Sequence, residues 1–287
     1  MAHIKKRRNG VSRSLGGDIL VLSILVLMAA FMLLPFVYAI MQSVKPMDEI
    51  FLFPPRFFAK NPTIENYQML SKITDSLWVP FSRYLMNSVF VAVIGTGLNV
   101  VISSLAAFPL AKYPFPGAKA LFKLVTISLL FAGPVTALPQ YIIVAKMGLI
   151  NSLWSVILPA AGAPLGLFLM RNFMTQIPDT MLEAARIDGA GIVRSFFSIT
   201  MPMVKPATLT LIIFSFQSLW NSTGGTFIYE ESSKLLPTIL SQISTAGIAR
   251  VGTGAAASVL LMIPPCLVFV ISQSRIIETM SFSGIKG

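Results

Sequence analysis

Charged and apolar side chains alternate with helical spacing in residues 178–206, a polar stretch between two long hydrophobic runs. Asp179, Glu183 and Arg186 recur at i, i+4 and i+7, so they share one side of a predicted helix whose other side is apolar. Gly189 stands where a left-handed residue would end that helix. The chemistry that this spacing offers is noncovalent, with charges beside apolar contacts. It suits docking to another protein or resting on lipid headgroups.

A second short helix is predicted after that glycine. Ile192, Phe196 and Ile199 repeat the same spacing, and Pro202 and Pro206 interrupt it before the next hydrophobic run. The sequence therefore predicts two short amphipathic helices joined at a glycine.

The composition predicts that these helices interrupt a membrane protein. Of the 287 residues, 55% are hydrophobic and 11% are charged, and the mean hydropathy is +0.77, which is too apolar for an ordinary soluble domain. The net charge of +11 does not predict a nucleic-acid partner, because the basic residues flank hydrophobic runs instead of forming a basic, aromatic face.

Six uncharged runs are long enough to cross the hydrocarbon layer as helices, and the expected fold is all-α with six transmembrane helices. The predicted spans are 19–44, 84–111, 124–145, 147–170, 206–229 and 251–274. With both termini in the cytoplasm, most of the 22 Lys and Arg residues fall on the cytoplasmic side, as the positive-inside rule requires. This orientation places residues 178–206 in the cytoplasm.

The chain is expected to have five consecutive parts. These are a basic cytoplasmic tail (1–18), an uncleaved first transmembrane helix (19–44), an ordered extracytoplasmic cap (45–83), a five-helix core containing the 178–206 loop (84–275) and a cytoplasmic C-terminal tail (276–287). An uncharged piece at 235–249 is too short to span, and we expect a surface or partly re-entrant helix with Pro237 in its first turn.

The polar stretch also carries a family pattern, Glu183-Ala184-Ala185, Asp188-Gly189-Ala190 and Ile199-Thr200-Met201-Pro202. It resembles the EAA loop of binding-protein-dependent ABC importers, although Met201 stands where leucine is usual. The cap, with KPMDEIF and PPRFF, and the C-terminal tail are similar to the smaller permease subunit of maltose-type importers. The resemblance implies a type I importer permease whose loop docks on a cytoplasmic ATPase. It implies that Glu183, Ala184, Ala185, Asp188, Gly189 and Ala190 couple the loop to the ATPase, with Glu183 as a charged contact and Gly189 as the bend.

The same resemblance implies the rest of the assembly. A second homologous permease would complete the pathway in the bacterial plasma membrane. Two ATPase subunits would bind ATP and magnesium, and an extracytoplasmic binding protein would deliver a sugar or oligosaccharide. This chain itself would need no cofactor.

The residues agree with a non-catalytic role. The sequence has no phosphate-binding G-x-x-x-x-G-K-[ST] loop, its one histidine is His3, and its carboxylates are scattered over the loops. No catalytic or metal site is predicted. Asn99, Gln217 and Asn221 lie within predicted spans and are candidates for lining the solute pathway, although such amides often join helices instead.

Two alternatives remain open at this stage. The EAA-like loop does not report the solute, so the cargo could be an amino acid, phosphate or a metal. An ion-coupled secondary transporter is a further alternative, opposed by the lack of ionisable side chains deep inside the spans.

Overall fold

The structure, a computed structural model, describes residues 15–283 except 77, 132, 246, 248 and 249, with side chains for the described residues among 16–272. All its regular elements in this part of the chain are helices. The first seven are α1 (Leu15–Ser43), α2 (Met47–Ile50), α3 (Glu65–Asp75), α4 (Phe81–Lys112), α5 (Ala118–Ser128), α6 (Gly133–Lys146) and α7 (Trp154–Ala161). The next seven are α8 (Pro164–Thr175), α9 (Asp179–Ile187), α10 (Ile192–Ser195), α11 (Met201–Met203), α12 (Lys205–Trp220), α13 (Leu236–Thr245) and α14 (Val251–Ser283). A π-helical turn (Phe196–Thr200) joins α10 to α11, and a 3₁₀ turn (Glu231–Ser233) precedes α13.

Four stretches of helix are long and apolar enough to cross a membrane, and two bent pairs bring the total to six if each pair crosses once. The four are Gly16–Ser43, Phe81–Lys112, Trp154–Thr175 and Val251–Ser272. The pairs are α5 with α6, bent by 112°, and α10–α11 with α12, bent by 77°. A polytopic helical fold is thus confirmed. The first bend lies inside the predicted span 124–145, and the second lies just before the predicted span 206–229.

The predicted span 206–229 is too long at its C-terminal end. Helix α12 stops at Trp220, and the chain then forms a loop in which Gly224 and Gly225 have φ of 73° and 53°. Glycine adopts this left-handed backbone readily, whereas a helix cannot continue through it. The uncharged run therefore contains both a helix and a loop.

The predicted span 147–170 is displaced toward its C-terminal end. Residues Gly148 and Asn151 have φ of 69° and 61°, so helix formation begins only at Trp154. At the other end α8 continues past Arg171, whose guanidinium lies 4.1 Å from the centroid of the Phe122 ring. The charged Arg171 side chain is therefore stabilised by a cation–π contact, and α8 extends beyond the predicted end of the span.

Helix α4 is the centre of the packing and contacts α7, α8 and α12 along its length. Its first half belongs to an apolar core with α7, α12, α13 and α14. Its last turns belong to a second core with α8, α9 and the start of α12. One helix therefore connects the two ends of the bundle.

Gly166 of α8 allows α8 to pack closely against α4. A Cβ atom at this position would lie 2.3 Å from the Ser103 Oγ and 2.8 Å from the Asn99 Oδ1. Gly162, one turn earlier, has only the Pro159 carbonyl oxygen within 4 Å, at 3.9 Å. Only the second glycine of this pair is therefore required by the helix contact.

The segment predicted as a cap is ordered by two buried charged side chains. Lys45 donates a hydrogen bond to the Arg56 carbonyl, and the Glu49 carboxylate accepts from the backbone N–H groups of Lys60 and Asn61, both at 2.9 Å. These bonds fold the chain between α2 and α3 into a defined loop. Asn66 of α3 then joins this segment to the end of α1 through hydrogen bonds to the Ser43 and Lys45 carbonyls.

The predictions for residues 235–249 and for the two chain termini have different outcomes. The predicted short helix exists as α13 with Pro237 in its first turn, but Leu236, Ile239, Leu240 and Ile243 are buried in the first core, so it is an internal helix. In the predicted C-terminal tail, the backbone of α14 continues to Ser283, while residues 284–287 lie outside the described residues. Of the predicted basic tail (1–18), residues 1–14 also lie outside the described residues.

A polar contact joins the start of α4 to the 3₁₀ turn. The Tyr84 hydroxyl donates to Glu231 Oε1 at 2.9 Å, and Lys234 Nζ donates to Glu231 Oε2 at 2.5 Å. Asn87 Nδ2 also donates to the Ser232 carbonyl at 2.9 Å. Burial raises the pKa of the Glu231 carboxyl, but hydrogen bonds from Lys234 and Tyr84 outweigh it and hold that pKa below its ordinary value.

Replacing Glu231 with glutamine is expected to lower the melting temperature (Tm) of the detergent-purified protein at neutral pH. A carboxyl whose pKa is lower in the folded state stabilises above its unfolded pKa, near 4.5, and this contribution is lost as pH falls through the folded value. The difference in Tm between wild type and Glu231→Gln should therefore disappear in acid. Glu230→Gln is the matched control, and equal Tm profiles for the two variants would contradict this role.

Candidate coupling surface and polar cavities

Helix α9 begins and ends where the sequence predicts. It starts at Asp179 and ends at Ile187, and Gly189 then adopts φ of 79°. The Ala190 N–H donates to the Ala185 carbonyl at 2.8 Å, which closes the helix end through the left-handed residue. The predicted first helix and its glycine stop are confirmed.

The six residues predicted to couple the loop to an ATPase are not equally exposed. Glu183, Ala184, Asp188 and Gly189 are exposed, Ala190 is half-buried, and Ala185 is buried. Together with Leu182, Ala185 forms the inner side of α9. Ala185 therefore seats α9 on the bundle, and the other positions remain available for contact.

The loop also exposes an apolar surface that the sequence interpretation missed. Ile187, at the end of α9, is 87% exposed, and Ile192, Val193 and Phe197 are exposed in the second segment. Of this group, the helical spacing of the second segment includes only Ile192, together with Phe196 and Ile199. The signal that could have found the others is the presence of bulky apolar residues off that stripe. Contiguous exposed apolar side chains are typical of protein contact sites.

Lys112 connects α4 to the start of α9. Its side chain is 3% exposed, and its Nζ donates to Asp179 Oδ1 at 2.7 Å and to the Ile177 carbonyl at 2.5 Å. The Arg186 guanidinium adds a second contact and lies 5.3 Å from the Tyr113 ring centroid. Since α4 ends at Lys112, these contacts attach the exposed loop directly to the central helix.

The second predicted helix is not a regular one. Helix α10 passes into the π-helical turn, where the Thr200 hydroxyl donates to the Ser195 carbonyl at 3.3 Å. Pro202 and Pro206 lack the N–H groups that would extend an α-helical ladder, and the chain bends between α11 and α12. The buried Phe196 ring lies 5.3 Å from the Phe108 ring of α4, so this segment also packs on the central helix.

Three cavities with some polar lining lie between the helices. The first, about 630 Å³, is bounded by α4, α5, α6 and the α7–α8 junction. The second, about 130 Å³, lies among α4, α8 and α12. The third, about 460 Å³, lies among α6, α7, α12 and the loop after it. In the described part of the chain, no group of three or more His, Cys, Asp or Glu side chains is placed to hold a metal ion.

The three predicted pathway residues have different surroundings. Asn99 is 1% exposed, its amide donates to the carbonyls of Ala160 (2.8 Å) and Ala161 (3.2 Å), and its Oδ1 accepts from the Ser215 hydroxyl at 2.9 Å. Its polar atoms are therefore used to join helices, although it borders the second cavity. Asn221 is exposed and lines the third cavity.

Gln217 is exposed but lines none of the cavities described above. The sequence suggests a place on the pathway because Gln217 lies within an uncharged run. On α12 it lies outside the three polar cavities. Its assignment to the pathway stays a prediction.

Known proteins resemble this chain over nearly its whole length. A polygalacturonan/rhamnogalacturonan transport system permease protein from Bacillus subtilis is 28% identical to this chain. The matched region covers 94% of this chain and 98% of that protein. A melibiose/raffinose/stachyose import permease protein from the same organism is 32% identical over 70% of this chain and 75% of its own. The structure of a bacterial ABC transporter involved in the import of the acidic polysaccharide alginate has the same fold. One of its chains superposes with a TM-score of 0.75 at 20% identity, covering 91% of this chain and 98% of that one.

A family model also matches, over residues 68–281. This range runs from α3 into α14 and includes the whole of the exposed α9–α11 loop. Since the match covers well over half of the chain, the family is established. The chain belongs to the family of binding-protein-dependent transport system inner membrane components.

Proposed function

We propose that this protein is the transmembrane permease subunit of an ATP-driven ABC importer and that the α9–α11 loop is the surface on which an ATPase subunit acts. The observation that carries the proposal is the attachment of an exposed loop to α4 by the buried Lys112 side chain. Force applied to α9 would reach α4, and α4 contacts α7, α8 and α12. Coupling between distant sites needs such a continuous connection to an element that moves.

The family name supports the proposed partners. A binding-protein-dependent system includes a solute-binding protein, which we place on the extracytoplasmic side. A second homologous permease would complete the pathway, and two cytoplasmic ATPase subunits would hold ATP and magnesium and carry out hydrolysis. This chain would then be a non-catalytic subunit of the bacterial plasma membrane with both termini in the cytoplasm.

The proposed cargo is a sugar or oligosaccharide. The relatives described above are named for saccharides of different chemistry, and the related structure belongs to an importer of an acidic polysaccharide. These relationships favour a saccharide over an amino acid or free phosphate.

Within the loop, we assign contact with the ATPase to the exposed Glu183, Ala184 and Asp188, with Ala185 and Ala190 holding the helix in place. Gly189 would set the angle between the two segments. The exposed side chain of Ile187 adds an apolar anchor at the tip of α9.

Glu183→Lys and Gly189→Val are expected to leave the protein in the membrane but to reduce both ATPase copurification and solute-stimulated ATP hydrolysis. The first reverses an exposed charge, and the second forces a β-branched residue into φ of 79°, which costs about 1–2 kcal/mol. The measurements are copurification and ATP hydrolysis by the complex in proteoliposomes.

Gly191→Val is the matched control for the glycine. Gly191 has φ of −70°, and apart from its chain neighbours no atom lies within 4 Å of the position that a Cβ would occupy, so valine fits there without backbone strain. Wild-type uptake together with full ATPase association in both Glu183→Lys and Gly189→Val would refute the coupling assignment.

A further inference from the structure

We infer that the cavity of about 460 Å³ is a binding subsite for uncharged saccharide units, with the side-chain amides of Gln140 and Asn221 as its principal hydrogen-bonding groups. The inference rests on the proposed function and names the chemistry of its cargo. Cavities of roughly 300–1,000 Å³ are typical of small-molecule sites. Its polar lining consists of Gln140, Ser155, Ser218, Asn221, Ser222 and Thr223.

The cavity lies at the end of the bundle opposite the α9–α11 loop. It is bordered by α7 and by the C-terminal end of α12, whereas the loop connects the end of α8 to the start of α12. If α9 faces the cytoplasm, this cavity lies toward the extracytoplasmic side. That is the side on which a binding protein would release its solute.

The amides of Gln140 and Asn221 differ from the buried amides of Asn87 and Asn99 in being free. Neither side chain has a hydrogen-bonding partner among the described residues, whereas the amide of Asn99 binds two carbonyls and that of Asn87 binds the Ser232 and Lys234 carbonyls. An amide can donate and accept at once. Two unpaired amides at one cavity are therefore suited to a ligand rich in hydroxyl groups.

The loop that forms one wall is held in place before any ligand arrives. Asn151 accepts hydrogen bonds at its Oδ1 from the backbone N–H groups of Tyr229 (2.6 Å) and Glu230 (3.1 Å). The Asn151 N–H donates to the Phe227 carbonyl at 2.8 Å, and the Thr238 hydroxyl donates to the Thr223 carbonyl at 2.7 Å. A fixed wall reduces the ordering cost of binding.

An aromatic ring completes the wall. Phe227 lines the cavity and stacks on Tyr141 with centroids 6.3 Å apart. Saccharide rings present C–H groups on one face and hydroxyl groups around the edge. An aromatic surface beside amides and hydroxyls matches both kinds of group.

The subsite continues into the other polar cavities. Ala160, Ser218 and Leu219 border both this cavity and the small one beside Asn99. Gln140 borders both this cavity and the one of about 630 Å³. A solute unit bound at Gln140 would therefore be at the entrance to the larger space between α4 and α6.

The residues that this chain contributes to the lining also favour an uncharged ligand. None of these three cavities is lined by an Asp, Glu, Lys or Arg side chain of the described residues. Moving a carboxylate from water into such surroundings is costly without a paired cation. The subsite is therefore suited to neutral sugar units and not to uronate units.

The test uses the full complex in proteoliposomes, with this chain, the second permease, the ATPase and the binding protein. Two probe sets are supplied separately, neutral di- to tetrasaccharides and galacturonate oligomers of the same lengths. We expect the neutral set alone to be taken up. Gln140→Leu and Asn221→Leu should each reduce that uptake about three- to tenfold through loss of hydrogen bonds, with ATPase association unchanged.

Gln242→Leu is the control, since Gln242 is an exposed glutamine of α13 that borders none of these cavities. If Gln140→Leu and Asn221→Leu transport as well as this control, the subsite is refuted. Uptake of galacturonate oligomers, alone or beside the neutral set, refutes the charge selectivity while leaving the proposed importer intact. If neither set stimulates ATP hydrolysis, the proposed saccharide cargo itself is refuted.

Discussion

Replacing Lys112 by methionine is expected to lower solute uptake per ATP hydrolysed tenfold or more while the protein remains in the membrane. Methionine keeps the apolar stem but removes the hydrogen bonds to Asp179 and to the Ile177 carbonyl. Hydrogen bonds from a charged group contribute about 1.5–3 kcal/mol, and about 1.4 kcal/mol corresponds to a tenfold change in an equilibrium. A loosened α9 would receive force from the ATPase without moving α4.

Two variants separate this effect from a general loss of charge. Lys119→Met removes an exposed lysine at the same end of the bundle and should transport normally. Asp179→Asn keeps a hydrogen-bond acceptor beside Lys112 and should cause a smaller loss, because Asp179 is 75% exposed and its charge is screened. Uptake measured per ATP hydrolysed is the readout, and an unchanged ratio in Lys112→Met would contradict the linkage.

Gly166→Ala is expected to destabilise the bundle strongly for the addition of a single methyl group. The new methyl would lie 2.3 Å from the Ser103 Oγ, 2.8 Å from the Asn99 Oδ1 and 3.1 Å from the Ser103 Cβ, so these side chains must shift, breaking the hydrogen bonds of Asn99, or α8 must move away from α4. Overpacking of this kind costs about 1–3 kcal/mol. In a chain of this size each kcal/mol lowers Tm by about 2–4 °C.

Gly162→Ala provides an internal comparison, because a methyl at that position meets only the Pro159 carbonyl oxygen, at 3.9 Å. Its Tm in detergent should stay within a degree or two of wild type, since surface changes usually alter stability by less than about 0.5 kcal/mol. Equal Tm values for the two alanine variants would show that α4 and α8 are not in close contact at Gly166.

The accuracy of the sequence predictions depended on how local the signals were. The sequence predicts both ends of helix α9 because proline, helical spacing and glycine all lie within twelve residues of one another. The Lys112–Asp179 contact joins residues 67 positions apart, and nothing beside Lys112 in the sequence indicates it. From the sequence alone, Lys112 indicates only a positive charge on the cytoplasmic side.

Counting uncharged residues located the membrane segments but not their breaks. The run 147–170 includes a turn and a helix junction that carry no charge, and the run 206–229 includes the loop after Trp220. Positive φ at Asn151 and Gly224 interrupts these helices through backbone geometry, to which a hydropathy count is insensitive. The free amide of Asn221 belongs to one of these misassigned loops, which is why its cavity could not be predicted.

The hydrogen bonds of Asn99 bear on the order in which the spans can be assembled. At the junction of α7 and α8 the Ala161 carbonyl receives its donor from Asn99 of α4, where an unbroken helix would supply the Leu165 N–H. An unpaired carbonyl in lipid is expensive. The backbone of the α7–α8 segment is therefore fully hydrogen-bonded only when α4 lies beside it. We expect α4 to be in the membrane before α7 and α8 take their final positions.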